Sequence, residues 1–362
     1  SPLTRFTVYN GIHPDAFAPQ VLVEWKAFLD IYVAQTVPVI SKQVRELAPI
    51  LFENIFRVKT TLPPDRFANY ATWEEAKAAF EAEQSLRVIF ENGAGEDPGV
   101  PKGTAEKRFD AWPPAAVATR FYFQNDGSLA ATAPAEATGG STFTLDPDAG
   151  HTSVVAPDGD VWDLLPKYDW KQPAPGSAVI FESAPLAADL VTIGTASVDL
   201  WLRANVDDAD LEVNLTEVRP DGQEMFVQSG WLRASVRGLA PSATELWPAQ
   251  TYLEQDAALL VPGEWSSVRV GVAAFAHVFR TGSRIRISVD TPGGSRARWT
   301  FDLKKFSGDA KYDIGHSSTM PSSIVLPVIA GEKATTPLPP CPSLRGQQCR
   351  TYMSYTNVSA AP

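Results

Sequence analysis

From about residue 117 to residue 330 the hydrophobic period of this chain is two. Apolar and polar residues alternate through candidate strands at residues 118–123, 178–183, 196–204, 211–218, 224–236, 267–274, 284–289 and 323–329. Such alternation sets one face of an extended segment against a core and the other face outward. Turn-forming groups divide the runs: Asn125-Asp126-Gly127, Asp158-Gly159, Pro220-Asp221-Gly222 and Pro292-Gly293-Gly294. Proline presets the first turn residue, and glycine accepts the left-handed backbone that follows. Pro220-Asp221-Gly222, lying between two alternating runs, predicts a hairpin. No helical pattern interrupts the series, so a sandwich or barrel is expected. The 10 Trp and 30 Pro suit a β-rich, loop-rich chain better than a helical bundle.

The first part of the chain follows a different logic. Phe6 to Tyr9 is a short β-type run closing on Asn10-Gly11, and Leu86 to Phe90 is another, ending at Asn92-Gly93-Ala94-Gly95. Between them, residues 21–33 carry apolar positions three and four apart, as on an amphipathic helix. A second helical stretch is expected from 39 to 57 with a break at Pro49, and a third from the Thr72/Glu75 capping box to about Glu83. Strand, helices, strand is α/β order. Two strands do not make a stable sheet alone, so further strands are expected on another chain or on a removed N-terminal half. The expected domains are therefore 1–115, α/β with a helical insertion; 116–334, a β-sandwich; and 335–362, an extended tail rich in Thr, Pro and Ser.

Charge and cysteine content narrow the functions. With 362 residues, two domains are comfortable, and the net charge of −11 gives no electrostatic footprint for nucleic acid or an anionic membrane. No apolar run reaches the 18 residues of a candidate membrane span. The two cysteines, Cys341 and Cys349, stand eight apart near the C-terminus. They favour a small disulfide loop in a secreted or cell-envelope protein, with two free thiols as the alternative. No metal or cofactor is expected. The start at Ser1-Pro2, with no Met and no signal pattern, reads as a processed chain.

Several stretches together carry a family resemblance. Pro185-Leu186 and Asp189 precede Gly194-Thr195-Ala196-Ser197-Val198-Asp199-Leu200-Trp201-Leu202. Asp207-Asp208-Ala209-Asp210-Leu211, Glu217-Val218-Arg219-Pro220-Asp221-Gly222 and Gly230-Trp231-Leu232-Arg233-Ala234-Ser235 continue the pattern, and His277-Val278-Phe279-Arg280-Thr281-Gly282-Ser283-Arg284-Ile285-Arg286 closes it. Over roughly residues 175–330 the chain resembles the C-terminal domain of α/β-hydrolases of the X-Pro dipeptidyl-peptidase and cocaine-esterase (CocE/NonD) type. The resemblance implies a jelly roll preceded by a hydrolase domain with cap helices. It also implies that the turn Asn10-Gly11-Ile12-His13-Pro14-Asp15 holds the acid of a catalytic triad at Asp15, with His13 nearby as a candidate base. The family's triad histidine would lie in the loop after Leu86 to Phe90, where residues 91–99 contain none. Its nucleophile, a Ser in a Gly-x-Ser-x-Gly turn, has no counterpart here.

The expected fold is thus mainly β: a jelly-roll sandwich preceded by a partial α/β-hydrolase segment with cap-like helices. The expected function is one chain of a serine hydrolase cleaving an ester or amide bond of a small molecule or peptide, its nucleophile on an N-terminal partner. The alternative is a catalytically inactive jelly-roll protein for binding or assembly. Trp73, Trp112 and Trp170 are candidates to line an acyl pocket, though core packing competes for each. His151, His277 and His316 read as structural. Asp146, Asp148, Asp158 and Asp160, and likewise Asp207, Asp208 and Asp210, read as turn chemistry. Arg284 and Arg286 alternate with Ile285 and Ile287, giving one polar face and one buried face of a strand.

Overall fold

A parallel pairing between distant segments organises the N-terminal part of the molecule. The computed structural model describes residues 4–95, 97–297 and 299–361. In it β1 (Phe6–Tyr9) pairs in parallel with β2 (Leu86–Phe90), Phe6 opposite Leu86, and β3 (Ala105–Phe109) adds antiparallel to β2. Every residue of β2 is buried. Between β1 and β2 run α1 (Pro19–Leu29), α2 (Lys42–Phe56) and α3 (Trp73–Ala82). The capping box at Thr72 forms: its Oγ1 accepts from Glu75 N at 3.2 Å, and the Glu75 carboxylate accepts from Thr72 N at 3.3 Å. Helix α2 does not break at Pro49. It runs on through the proline, because Ala48, Phe52 and Phe56 on its buried side hold it against Ala18 and Val21. A second small core joins Ala27 and Ile31 to Phe67, Ala76 and Phe80.

The chain divides into two compact units. The first contains residues 1–114, 160–167 and 335–347, and the second residues 115–159, 168–334 and 348–362. The second unit is built almost wholly of strands. They are β4 (Val117–Phe123), β5 (Ser128–Ala130), β6 (Gly140–Thr144), β7 (Ala178–Ser183), β8 (Leu190–Ala204), β9 (Asp210–Val218) and β10 (Gln223–Arg233), then β11 (Trp265–Phe279), β12 (Arg284–Asp290), β13 (Lys311–Gly315), β14 (Ser323–Val328), β15 (Cys349–Thr351) and β16 (Val358–Ser359). They form one 13-stranded ladder in the order β15-β10-β9-β12-β7-β5-β4-β14-β8-β13-β6-β16, with β11 also on β8. The Pro220-Asp221-Gly222 hairpin joins β9 to β10 as expected, Glu224 opposite Val218, with Gly222 at φ 81°.

This ladder folds on itself around a single core. Leu211, Val213 and Leu215 of β9, with Ile285, Ile287 and Val289 of β12, meet Val198, Leu200 and Leu202 of β8 and Val268, Val270 and Val272 of β11. The result is mainly β, a jelly-roll-type sandwich. Strand β10 comes so close to β11 that a Cβ at Gly230 would lie 2.0 Å from the Gly271 carbonyl oxygen. The tail is not a free arm. Its β15 pairs with β10 and its β16 with β6, and Asn357 uses both polar ends of its side chain on the backbone of Ile180, at 2.8 Å each. Cys341 and Cys349 are disulfide-bonded.

Candidate functional site

The turn after β1 places Asp15 in a short 3₁₀ segment, His13–Phe17, beside the loop that leaves β2. Asp15 is fully buried. A carboxylate out of water must be neutralised or saturated with hydrogen bonds, and here both occur. Arg345 grips it: Nε lies 2.8 Å from each carboxylate oxygen and Nη2 lies 2.7 Å from Oδ1. Oδ2 also accepts from Ile12 N at 3.1 Å and from Asn92 Nδ2 at 3.0 Å. The remaining Arg345 nitrogen donates to Gly99 O at 2.8 Å, and the guanidinium lies over Phe56. Burial, with Asp15 nearby, pushes the Tyr9 hydroxyl up to about 12.

The groups that contact Asp15 among the described residues are a guanidinium, a side-chain amide and a backbone amide. A triad acid accepts a hydrogen bond from the Nδ1–H of a histidine and stabilises the imidazolium. Asp15 instead accepts hydrogen bonds from Arg345, Asn92 and a backbone amide. Asn92 stands in the loop after β2, where the resemblance places the triad histidine. His13, two residues before Asp15, is exposed, and no hydrogen bond or ion pair of its side chain occurs among the described residues. Arg345 lies 330 residues from Asp15, and no local pattern marks it. The structure brings together Asp15, Asn92 and Arg345, and leaves His13 outside that cluster.

The other histidines are held inside the β unit. His277 Nε2–H donates to Glu217 Oε2 at 2.9 Å, both side chains buried. Burial opposes the charge on Glu217, but His277, with Ser283 and the Arg280 amide, together outweigh it and hold the carboxyl below its usual range. His316 lies 2.9 Å from Ser141 Oγ through Nε2 and 2.6 Å from Asn125 Oδ1 through Nδ1. The spacing is that of a nucleophile, base and orienting group. Yet Ser141 is 5% exposed and His316 4%, and His316 packs edge-on against Phe181. Burial lowers the His316 pKa, favouring the neutral ring, in which Nδ1–H donates to Asn125 Oδ1 and Nε2 accepts from the Ser141 hydroxyl. This trio ties strands together inside the fold. His151 is exposed at the end of a short 3₁₀ turn.

The acidic loops follow turn chemistry. Asp146 accepts from Asp148 N at 2.9 Å and Asp160 from Trp162 N at 2.9 Å, while Asp160 and Asp163 pair with Arg57. Asp210 pairs with Arg233, and Lys304 with Asp207. No group of three or more His, Cys, Asp or Glu able to hold a metal occurs among the described residues. Of the tryptophans, Trp73 donates to Ile31 O at 2.8 Å, and Trp112 is partly buried. Trp170 lies under the Arg350 guanidinium at 3.9 Å and lines a cavity on the β unit.

That cavity, about 260 Å³, covers the face of β9, β12 and β7 opposite to the core. This polar face is itself largely buried. Glu212, Asn214 and Thr216 of β9 and Arg286 of β12 are each 8% exposed or less, because loop residues 146–153 and 169–177 and the tail strand close over them. Arg286 and Arg350 both bind Glu224 Oε2 at 2.8 Å. Across the ladder Asp290 faces Glu212, Ser288 faces Asn214 and Arg286 faces Thr216.

With the fold and these sites described, the comparisons decide the family. Residues 79–296, more than half of the chain, match the family described as the X-Pro dipeptidyl-peptidase C-terminal non-catalytic domain. The chain belongs to that family. Candidate serine esterases of Mycobacterium bovis and Mycobacterium tuberculosis are each 29% identical to it over 212 residues, 55% of this chain and 33% of theirs. A CocE/NonD family hydrolase of Staphylococcus aureus superimposes with a TM-score of 0.57 at 15% identity, over 90% of this chain and 49% of that one. An α-amino acid ester hydrolase superimposes with a TM-score of 0.50 at 18% identity, over 83% of this chain and 48% of that one. The chain thus spans about a third of its curated relatives and half of these solved hydrolases. The dipeptidyl-peptidase C-terminal family accounts for the jelly roll, and the structural neighbours share the fold through the preceding α/β segment as well. No helix among the described residues is long and apolar enough to cross a membrane.

Proposed function

We propose that this chain is the non-catalytic portion of a serine hydrolase of the CocE/NonD type, one that cleaves an ester or amide bond of a small molecule or peptide through an acyl-enzyme. The observation that carries the proposal is the family match over residues 79–296, joined to an α/β segment that ends in Asp15 and the β2 loop. In this reading the nucleophile is carried by polypeptide outside the chain. The α/β segment and jelly roll supply structure and walls. The Cys341–Cys349 disulfide supports a secreted or cell-envelope location.

The Asp15 clamp supports a second reading, the catalytically silent binding or assembly protein. A carboxylate already accepting hydrogen bonds from Arg345, Asn92 and Ile12 has no lone pair free to orient a base. Treating the native protein, with every polypeptide that co-purifies, with a fluorophosphonate probe separates the two. A labelled serine in an associated segment supports the hydrolase. Absence of label in all of them, with the fold intact by circular dichroism, refutes it and leaves the silent protein.

A further inference from the structure

The small sheet of the α/β unit has two rims that differ in kind. At one lies β3, antiparallel to β2, with Glu106, Lys107 and Arg108 in its sequence. Charges on a short strand discourage further pairing at a free edge, and an antiparallel strand commonly finishes the edge of an otherwise parallel sheet. At the other rim lies β1, Phe6-Thr7-Val8-Tyr9, with no charge, no proline and no bulge. Phe6 N donates to Ser85 O at 2.9 Å, so Phe6 and, two residues on, Val8 turn their backbone groups toward β2. Thr7 and Tyr9 turn theirs to the opposite side, where no strand among the described residues pairs with them. A bare rim of this kind is a template for another strand.

A second, independent feature lies along the same rim. Helix α1 packs Ala27 into the unit, yet Val21, Trp25 and Leu29, four residues apart, form a further apolar row on it. Trp25 is 57% exposed and Leu29 51%, and Phe6 of β1 is 42% exposed. These side chains, with Phe28, line one groove of about 680 Å³ beside β1. Its charged side chains already hold partners. Glu24 meets Arg66, Arg87 and Arg108, Glu83 meets Arg66 and Arg108, and Arg5 donates to the Phe80 and Glu83 carbonyls. The groove therefore asks its occupant for backbone hydrogen bonds and apolar surface, and for no charge.

We propose that the β1 edge and the α1 row receive an uncharged, apolar β-strand, parallel to β1, from the polypeptide that carries the nucleophile. This rests on the hydrolase reading and adds to it the place where that polypeptide joins. Parallel order follows from β1 and β2, which run parallel with helices between them, as strands inside an α/β sheet do. This chain covers 49% of the CocE/NonD hydrolase on which it superimposes, so that fold has polypeptide enough to supply further strands. A small molecule fills the groove but leaves the Thr7 and Tyr9 backbone groups unpaired. A second copy of this chain, joined through β1 about a two-fold axis, would run antiparallel.

The test is hydrogen exchange, resolved to single amides, on the native protein with every polypeptide that co-purifies, beside its fluorophosphonate label and native mass. The Thr7 and Tyr9 amides exchange about tenfold or more below free-peptide rates, as the Val8 amide does. Trp25→Glu/Leu29→Glu, which puts two charges into the row, abolishes the protection of Thr7 and Tyr9 and leaves Val8 and residues 86–90 protected. Leu47→Glu, at an exposed apolar site on α2 outside the groove, leaves every one of these amides unchanged. Free-peptide exchange at Thr7 and Tyr9 in a sample that carries a labelled serine overturns the docking and spares the hydrolase reading. Protection of both amides with no labelled serine in any polypeptide overturns the named occupant together with the hydrolase reading, and leaves the edge as a docking site. A native mass of two copies of this chain with Thr7 and Tyr9 protected, or an equal loss of protection in Leu47→Glu, also overturns the proposal.

Discussion

Removing the guanidinium that neutralises Asp15 should be among the most damaging single changes in the α/β unit. In Arg345→Met the aliphatic stem survives and the charge does not. Three close contacts to Asp15, between 2.7 and 2.8 Å, are lost, and so is the bond to Gly99 O. Asp15 keeps only Asn92 and the Ile12 amide, in a site with no solvent exposure. Breaking one side of a buried ion pair costs about 3–5 kcal/mol, since the partner charge is left uncompensated. At about 2–4 °C per kcal/mol this lowers the melting temperature of that unit by roughly 6–20 °C. The double variant Asp15→Asn/Arg345→Met, which removes both charges, should recover most of the loss. Urea unfolding monitored by tryptophan fluorescence, run as a four-corner cycle, gives the coupling energy. A loss below about 1 kcal/mol in Arg345→Met, or no recovery in the double variant, would show that the clamp does not hold the Asp15 turn.

Three further outcomes follow from the packing. His277→Gln leaves Glu217 buried without its ring partner, so stability at pH 7 drops by about 3 kcal/mol in urea melts. Because the folded pKa of Glu217 is depressed, the stability it contributes is present above its usual value near 4.5 and is lost as pH falls through the folded value; the variant should lack that part of the acid-side slope below about pH 4.5. Gly230→Ala forces a Cβ to 2.0 Å from the Gly271 carbonyl, and should cost about 3 kcal/mol or prevent soluble expression; a melt within 2 °C of the parent would refute the close approach. Thr72→Ala removes the α3 cap and should cost about 1 kcal/mol, seen as faster amide exchange in residues 73–76.

The strands that could be read from sequence are those with one face in the core and a marked turn beside them. Residues 178–183 and 284–289 match β7 and β12 almost to the residue, and the β9–β10 hairpin lies at Pro220-Asp221-Gly222. The long partners β8 and β11 extend well past their expected limits, since Gly194 and the bulge between Val272 and Phe275 interrupt the alternation without ending the ladder. Strands β5, β15 and β16 are two or three residues long, too short to show a period, and exist because neighbours pair with them.

The site was harder to read for the same reason: its parts meet across the fold. Asp15 could be singled out from its turn and the family resemblance, but Arg345 is brought to it only by the folded tail. The roof over the polar face of β9 could not be read because the pattern Leu211-Glu212-Val213-Asn214-Leu215-Thr216 is identical for an open face and for one roofed by loops. Burial of Arg286 and Glu224 as a matched pair became visible only with β10, β12 and β15 in place.

The two ends of the ladder, β15 and β16, come from the same short tail. An unpaired strand edge is a template for joining another chain. By laying one segment on β10 and a second on β6, the last fifteen residues seal both open rims of the ordered strand path. A protease that clipped this tail would remove no core side chain of the sandwich, yet would leave two adhesive rims on each molecule. Self-association into linear or sheet-like aggregates, rather than unfolding, is the expected fate of such a clipped form.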